Sequence, residues 1–194
     1  MNRIITIGRE FGSGGRTIAK MTAKKLGIPV YDHELLSQIA EKSGFSKEYV
    51  AEKTEDSTWN SLIARSLSGL SSGAQIPAED YLWRMQRQVI LELAQKESCV
   101  IVGRCADYIL RDKADCLRVF IYADPAKRME RIVSVYGERD LSPEKRLRDK
   151  DKRRSAFYNY HTDMVWGAVH NYHICLDSGA FGLEKCADFI CSLY

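Results

Sequence analysis

The sequence predicts one α/β domain in which a parallel sheet is covered by helices on both faces. Short apolar runs alternate with helical stripes along the whole chain, and the runs are apolar throughout, as in strands buried on both faces. The chain of 194 residues, with 45% hydrophobic and 28% charged residues, has the length and composition of one globular domain. Disordered and fibrous classes are therefore excluded.

The first half of the chain contains three predicted strands separated by helices. A strand at residues 4–7 leads through a glycine-rich turn to a helix that ends at Gly27. A brief strand at 29–31 is followed by a helical stripe, and Ser46 can cap a further short helix. Residues 56–78 are rich in Ser and Gly and predict a mobile insertion with at most one helix, near 62–67. A longer helix then precedes a central strand at 99–102.

The second half repeats the alternation with clearer boundary signals. After a strand at 117–123, Asp124 and Pro125 supply the N-cap and first residue of a helix that ends at Gly137. Ser142 and the proline after it start a strongly charged helix in the same way. A last strand at 173–177 and a closing amphipathic helix complete the pattern.

Neither the N-terminus nor the cysteines point to export, to a membrane or to a metal. No apolar run approaches the roughly 20 residues that cross a bilayer, and the first residues lack a signal peptide's apolar stretch. The six cysteines form no CxxC pair and no cluster with histidine, which predicts reduced thiols and no metal site. We therefore expect a cytoplasmic protein without a membrane partner.

The positive charge is concentrated in one part of the chain. The net charge is only +3, but residues 127–154 contain 11 Lys or Arg against 6 Asp or Glu. This concentration indicates an anionic ligand. The acidic residues interspersed among the basic ones disfavour nucleic acid as that ligand.

A glycine-rich loop between the first strand and the first helix is the most informative segment. Its glycines allow backbone N–H groups to converge near a helix N-terminus, which is how proteins bind phosphate. A plain glycine turn is the alternative, but the position directly after the first strand favours phosphate binding. The predicted phosphate-binding residues are Gly12, Ser13, Gly14, Gly15, Arg16 and Thr17.

The loop departs from the strict pattern Gly-x4-Gly-Lys-Ser/Thr. If Gly15 is the second glycine, Glu10 takes the leading glycine position and Arg16 the lysine position. If Gly14 is the second glycine, the lysine position falls on Gly15. The lysine is missing in both registers, and Arg16 is the nearest cation.

Arg104 follows the central strand at the sheet edge where α/β proteins bind ligands. An arginine at this edge can donate two parallel hydrogen bonds to a phosphate, with Asp107 orienting it or meeting a base or sugar. A purely structural pair of Arg104 with Asp107 is the alternative.

Two charged helices carry further candidate arginines. Arg148, Asp151 and Arg154 are spaced three apart and are expected along one helical stripe, and Arg128 and Arg131 share a stripe on the preceding helix. A solvated face is the plain alternative for each residue. If they face the glycine-rich loop, these guanidiniums would stabilise charge on a transferred phosphoryl group.

Several segments resemble, in their order, the nucleoside monophosphate kinases and most closely the cytidylate kinase-like family. Residues 5–16 resemble that family's atypical phosphate loop, and residues 29–32 resemble its second strand and acid. Residues 100–104 are similar to the element that holds the acceptor phosphate, and residues 120–131 to the approach to the lid. The charged run at 149–154 and the segment 176–178 are similar to the family's C-terminal part, so the resemblance spans nearly the whole chain.

The resemblance implies a P-loop fold with a parallel five-stranded sheet, a helical insertion at about 32–98 and a lid at about 127–172, all within one domain of residues 1–194. It implies transfer of the γ-phosphate of ATP, with Mg²⁺, to a nucleoside monophosphate, CMP or dCMP first. The catalytic residues would be Arg16, Arg131, Arg148 and Arg154. The monophosphate-binding residues would be Asp32, Arg104, Asp107 and Asp151.

Two other functions stay open on the sequence alone. The missing lysine favours a P-loop module that binds nucleotide with little or no transfer. A kinase that acts on another small phosphate acceptor is the second alternative.

Overall fold

In the computed structural model the alternation of strands and helices is observed over the described residues, 3–32, 34–54, 78–113 and 115–194. The five strands are β1 Arg3–Arg9, β2 Val30–Tyr31, β3 Cys99–Val102, β4 Asp115–Tyr122 and β5 Ile174–Asp177. The first helices are α1 Gly15–Leu26, α2 Glu34–Ser43, α3 Lys47–Thr54, α4 Ala78–Lys96 and α5 Ala106–Leu110. The later ones are α6 Pro125–Tyr136, α7 Pro143–Thr162, α8 Ser178–Phe181 and α9 Leu183–Ser192. The predicted insertion at 56–78 and its helix lie, apart from the last residue, outside the described residues.

The five strands form one parallel sheet in the order β2-β3-β1-β4-β5, which confirms the predicted fold class. Strand β1 is central: its Ile5 lies opposite Val100 of β3 and Leu117 of β4. In parallel sheets the crevice beyond the carboxyl ends of the strands is where ligands bind. The segments that follow β1, β3 and β4 therefore meet at one edge.

Two apolar layers cover the sheet, and the alternation along β1 divides them. Ile4 belongs to the layer formed with α2, α3, α4 and α5, whereas Ile5 and Ile7 belong to the layer formed with α1 and α9. Successive side chains of a strand point to opposite faces, so one short apolar strand serves both layers. This arrangement is the physical reason for the uninterrupted apolar runs in the sequence.

Local capping chemistry sets the helix boundaries where the sequence predicts them. The Asp124 carboxylate accepts the Ala126 N–H at 2.8 Å, and the Ser142 hydroxyl accepts the Lys145 N–H at 3.3 Å. Gly27 ends α1 with a φ of 67°. The sequence did not predict α5 and α8, because helices of five and four residues carry no recognisable periodicity. Among the described helices, none has the length and apolar character needed to cross a membrane.

We expect Ile5→Ala to lower the free energy of unfolding by about 2–5 kcal/mol, because it opens a cavity in the central strand. Ile5 is completely buried, whereas Val165 is 66% exposed and offers a matched control. Val165→Ala should stay within about 0.5 kcal/mol of the parent protein. Urea unfolding of the three proteins measures both values, and equal values would contradict the assigned core.

Candidate functional site

The loop between β1 and α1 is built on glycines that no other residue could replace. Gly12 and Gly14 have φ values of 81° and 79°, a region that favours glycine. A Cβ at Gly12 would lie 2.8 Å from the Arg128 carbonyl oxygen, and one at Gly14 would lie 2.5 Å from Leu183. The loop is therefore held closely between α6 and α9.

Ser13 fixes the middle of this loop. Its hydroxyl donates to the Glu10 carbonyl at 2.9 Å, and its carbonyl accepts the Ser178 hydroxyl at 2.5 Å. Helix α1 begins directly afterwards, with Gly14 as its N-cap. The free N–H groups and positive dipole end of α1 therefore point at the loop, as in phosphate-binding sites.

The Asp151 carboxylate joins the loop to the two helices beside it. One oxygen accepts the Phe11 N–H at 2.7 Å, and the other accepts from the Arg128 guanidinium at 2.6 Å. Arg154 lies 3.8 Å from the first oxygen. Asp151 thus orients the loop and two arginines, and its role in monophosphate binding stays a prediction.

Glu10 completes this network on the side of β4. Its carboxylate accepts the Ala123 N–H at 3.2 Å and lies 3.4 Å from the Arg128 guanidinium. Burial raises the pKa of Glu10, whereas the positive charge of Arg128 opposes that shift.

A cavity of about 620 Å³ opens in front of the loop and is strongly basic. Its walls come from the loop, the end of β3, and the helices α1, α2, α3, α6 and α7. Its basic lining residues are Arg9, Arg16, Arg104, Arg131, Arg139, Arg146, Lys150, Arg153 and Arg154, against the acidic residues Glu10, Asp140 and Asp149. Such an excess of positive charge in a cleft attracts a polyanionic ligand.

Three of the predicted arginines line this cavity at the loop. The Arg131 guanidinium donates to the Thr17 hydroxyl at 3.0 Å, and Arg154 donates to the Arg9 carbonyl at 3.1 Å. Arg16 also lines the cavity, with its Nε 2.5 Å from the Asp32 carboxylate. The structure therefore brings Arg16, Arg131 and Arg154 to one site, with Asp32 beside it.

Arg148 does not line this cavity. The prediction that Arg148 and Arg154 share one stripe of the helix is therefore wrong. Arg148 and Asp151 line a separate groove on the outer side of α7, with Trp166. A helix turns about 100° per residue, so positions six apart differ by about 120° around the axis. Arg148 and Arg154 are six residues apart, so they lie on different faces of α7.

Arg104 lies in a strained turn at the end of β3. Arg104 and Cys105 have φ values of 60° and 54°, and both follow Gly103 at 68°. The Gln86 amide donates to the Arg104 carbonyl at 3.0 Å, and the Gly103 N–H donates to the Ile7 carbonyl at 3.0 Å. Such strain costs about 1–3 kcal/mol per residue and is concentrated at functional sites. The turn leaves Arg104 only 7% exposed on the cavity wall.

A second, small cavity of about 30 Å³ lies below this turn. Arg9, Arg104 and Arg154 line both cavities and separate them. Asp107 lines only the small one, where its carboxylate accepts the Tyr158 hydroxyl at 2.7 Å. Burial raises the pKa of Asp107, and this effect outweighs the opposing hydrogen bond from Tyr158. Asp107 therefore connects α5 to α7 at a distance from the main cavity.

The sequence analysis missed five basic lining residues: Arg9, Arg139, Arg146, Lys150 and Arg153. Arg9 carried a usable signal, because it is a cation at the end of β1, where the glycine-rich loop begins. The others lie within the basic segment 127–154, whose charge pattern does not reveal which side chains face inward.

A central parallel strand, a glycine-rich loop and an α1 N-terminus beneath a basic cavity together define a P-loop phosphotransferase fold. The chain belongs to the cytidylate kinase-like family, whose model matches residues 4–180. The resemblance inferred from the motifs is thereby confirmed.

Three similar proteins illustrate this relationship. A cytidylate kinase from Archaeoglobus fulgidus is 30% identical over 191 residues, which cover 96% of this chain and 91% of that protein. The crystal structure of an uncharacterised protein from Eubacterium ventriosum has a TM-score of 0.71 at 28% identity, covering 99% and 98% of the two chains. Shikimate kinase from Acinetobacter baumannii, in complex with shikimate, has a TM-score of 0.54 at 17% identity, covering 100% and 92%, and shares the fold. Family and fold together support nucleotide kinase activity.

We expect the Asp107 carboxyl to lower the free energy of unfolding as pH rises, and Asp107→Asn should abolish this contribution. The raised pKa means that folded Asp107 holds its proton at pH values where the unfolded carboxyl, with a pKa of about 3.9, has lost it. The folded state binds more protons in this window, so stability falls with rising pH from about pH 4 until the native pKa is passed. The asparagine can still accept from Tyr158.

Urea unfolding of both proteins between pH 4 and 8 measures this difference. The variant should gain stability relative to the parent as pH rises. A constant difference across the range would contradict the assigned shift.

Proposed function

We propose that the protein transfers the γ-phosphate of ATP to a nucleoside monophosphate, with CMP or dCMP as the first candidates. One observation carries the proposal. The glycine-rich loop after β1 and the Arg104 turn after the adjacent β3 open onto the same basic cavity. Neighbouring strand ends thus offer one place for a donor phosphate chain and another for an acceptor phosphate.

The donor side is the loop with the first turn of α1. Backbone N–H groups at Gly14 and beyond would hold the β- and γ-phosphates, and Arg131 would meet the γ-phosphate from α6. Its contact with the Thr17 hydroxyl already directs it to the loop.

Magnesium would arrive with the nucleotide. Mg²⁺ keeps several waters and takes its ligands mainly from substrate phosphates, with one or two protein oxygens. The Thr17 hydroxyl and the Glu10 carboxylate are oxygen donors beside the loop, and both residues line the cavity. These residues fit that requirement. The ion would neutralise charge that develops on the phosphates during transfer.

The acceptor side is the Arg104 turn, together with Asp32. An acceptor phosphate oxygen attacks the γ-phosphorus and forms the new P–O bond. The bond from the γ-phosphorus to the bridging oxygen breaks, and the electron pair leaves with ADP. A phosphate dianion has no proton to lose, so positioning and electrostatic stabilisation are sufficient and no general base is required.

We assign the segment at about 127–172 as the lid. Arg131 and Arg154 are its arginines that face the donor and acceptor phosphates, with Asp151 holding Arg154 in place. Arg148 lies outside this arrangement, since it lines the outer groove.

A nucleotide-binding module with little or no transfer is the second candidate function. Gly15 favours this second function, because position 15 is the lysine position in one register of the P-loop pattern. Both functions predict ATP binding and therefore a rise in melting temperature with ATP. Only a kinase produces ADP and a diphosphate product.

A panel of CMP, dCMP, UMP, AMP and GMP with ATP and Mg²⁺ distinguishes the two functions. We expect ADP formation that depends on the acceptor and is fastest with CMP or dCMP. Single-turnover transfer from radiolabelled ATP detects slow activity. Thermal stabilisation by ATP without transfer to any of the five acceptors would refute the nucleoside monophosphate kinase and favour the module or a kinase of another small phosphate acceptor.

Arg104→Ala should weaken monophosphate binding about 10- to 150-fold, which corresponds to losing a charge-assisted contact of about 1.5–3 kcal/mol. ATP binding should stay nearly unchanged, because the loop is a separate element. Arg87→Ala is a matched control, since Arg87 is an exposed arginine on α4. Calorimetric titration with each nucleotide measures the affinities. An equal loss for both ligands would indicate a structural role for Arg104.

A further inference from the structure

We propose that Arg9 is the phosphate-loop cation of this protein and replaces the P-loop lysine through an exchange of residues between positions 9 and 15. This inference rests on the proposed phosphoryl transfer and assigns a further catalytic residue to it. Arg9 would contact the transferred phosphoryl group directly.

The structure favours one of the two registers of the loop pattern. Gly14 has a φ of 79° and is the N-cap of α1, whereas Gly15 is the first helical residue. Gly14 therefore takes the place of the second glycine in Gly-x4-Gly-Lys-Ser/Thr. The lysine position then falls on Gly15 and the leading glycine position on Arg9. Relative to the pattern, the cation and the glycine have changed places.

The two exchanged positions share one space. A Cβ built at Gly15 would lie 2.5 Å from the Arg9 Cβ and 3.1 Å from its Cγ. The Arg9 side chain therefore crosses directly over Gly15. Because φ of Gly15 is not positive, its backbone does not call for glycine. The path of Arg9 is the reason that a side chain is excluded at position 15.

The charged end of Arg9 lies between the proposed donor and acceptor sites. A Cβ at Gly103 would overlap the guanidinium, whose central carbon would be 2.9 Å away. Arg9 is only 6% exposed and lines both the main cavity and the small one below the Arg104 turn. Its guanidinium thus lies next to the strand end that carries Arg104, one strand away from its own loop.

Arg16, the nearest cation in the sequence, is less suited to this role. Its Nε lies 2.5 Å from the Asp32 carboxylate, and 38% of its side chain is exposed. A guanidinium that is partly hydrated adds less positive potential at a phosphate than a buried one does. Arg9 is the better buried of the two.

The position of Arg9 matches the charge movement of the reaction. While the acceptor oxygen bonds to the γ-phosphorus and the bridging oxygen leaves with ADP, negative charge spreads over the transferred group. A planar guanidinium between the two sites can donate to oxygens of both phosphates at once, which a lysine ammonium does less well. Its contribution should therefore be larger in the transition state than in the complex with ATP.

A double-mutant cycle with Arg9→Gly, Gly15→Lys and the double variant tests the exchange. Arg9→Gly should lower kcat by about 10²- to 10³-fold, as the loss of one electrostatic contact in the transition state does. Gly15→Lys alone should also lower kcat, because the new side chain collides with Arg9. The double variant restores the leading glycine and the lysine of the pattern, while Arg16 still occupies its Ser/Thr position, and it should recover at least about tenfold over Arg9→Gly. Such a result is strongly non-additive, as expected for two residues that share one space.

The variants Arg9→Gln and Arg9→Lys distinguish the effect of the Arg9 charge on kcat from the effect of its packing over Gly15. Glutamine keeps much of the aliphatic stem over Gly15 without the charge, and lysine keeps the charge. We expect kcat to decrease in the order parent, Arg9→Lys, Arg9→Gln, with a smaller change in ATP affinity. Arg16→Ala should reduce kcat less than Arg9→Gln does, and Arg87→Ala should leave it unchanged. Unfolding midpoints without ligand verify that each variant is folded.

The outcomes separate this inference from the proposed function. If the parent transfers phosphate but Arg9→Gln retains kcat within about threefold, or Arg16→Ala loses more, the role of Arg9 is refuted while the kinase stands. Additive effects in the cycle would refute the exchange. If the parent transfers to no acceptor, the proposed function fails. The thermal shift with ATP across the cycle then still tests whether Arg9 and Gly15 act on one phosphate site.

Discussion

The Asp151 carboxylate is the constraint on which the arrangement of the site depends. It accepts hydrogen bonds from the Phe11 N–H of the loop and from Arg128 of α6, while it belongs to α7 itself. Three segments that are far apart in the sequence are thereby fixed relative to one another. Bonds of this kind are charge-assisted and about twice as strong as neutral ones. Together with the hydrogen bond from Arg154 to the Arg9 carbonyl, they hold the loop against α7.

This constraint also explains how so many cations can line one cavity. Like charges repel, and burying a guanidinium costs several kcal/mol unless partners compensate. Arg16 meets Asp32, and Arg131 donates to the Thr17 hydroxyl. Arg154 donates to a loop carbonyl and lies 3.8 Å from Asp151. The cavity nevertheless keeps more basic than acidic lining residues. The fold therefore maintains a basic site whose repulsion a bound polyphosphate would relieve.

The sequence predicts what local chemistry determines, and tertiary contacts determine the rest. The caps at Asp124 and Ser142 and the stop at Gly27 are satisfied within a few residues of chain, so their predictions are confirmed. The loop was located correctly for the same reason. The direction of Arg148 was not: the spacing puts Arg148 about 120° around α7 from Arg154, and only the packing of α7 determines which of the two arginines faces the loop.

Arg9 shows the limit of a motif applied position by position. Its importance follows from contacts with Gly15 and Gly103, which lie 6 and 94 positions further along the chain. In the sequence these glycines read as ordinary loop and strand-end residues. Only the structure reveals that both make room for one side chain.

In the proposed site, the residues that would bind phosphate differ from those that would contact the rest of the acceptor. The Arg104 turn is held rigidly by Gln86 and the end of β1, so a phosphate there meets a preorganised partner. Leu36 of α2 and Ala51 of α3 instead give the cavity an apolar wall. A shared fold does not fix a substrate. In the proposed reaction, α2 and α3 would therefore select the body of the acceptor, while the strained turn at Arg104 would serve any acceptor that carries a phosphate.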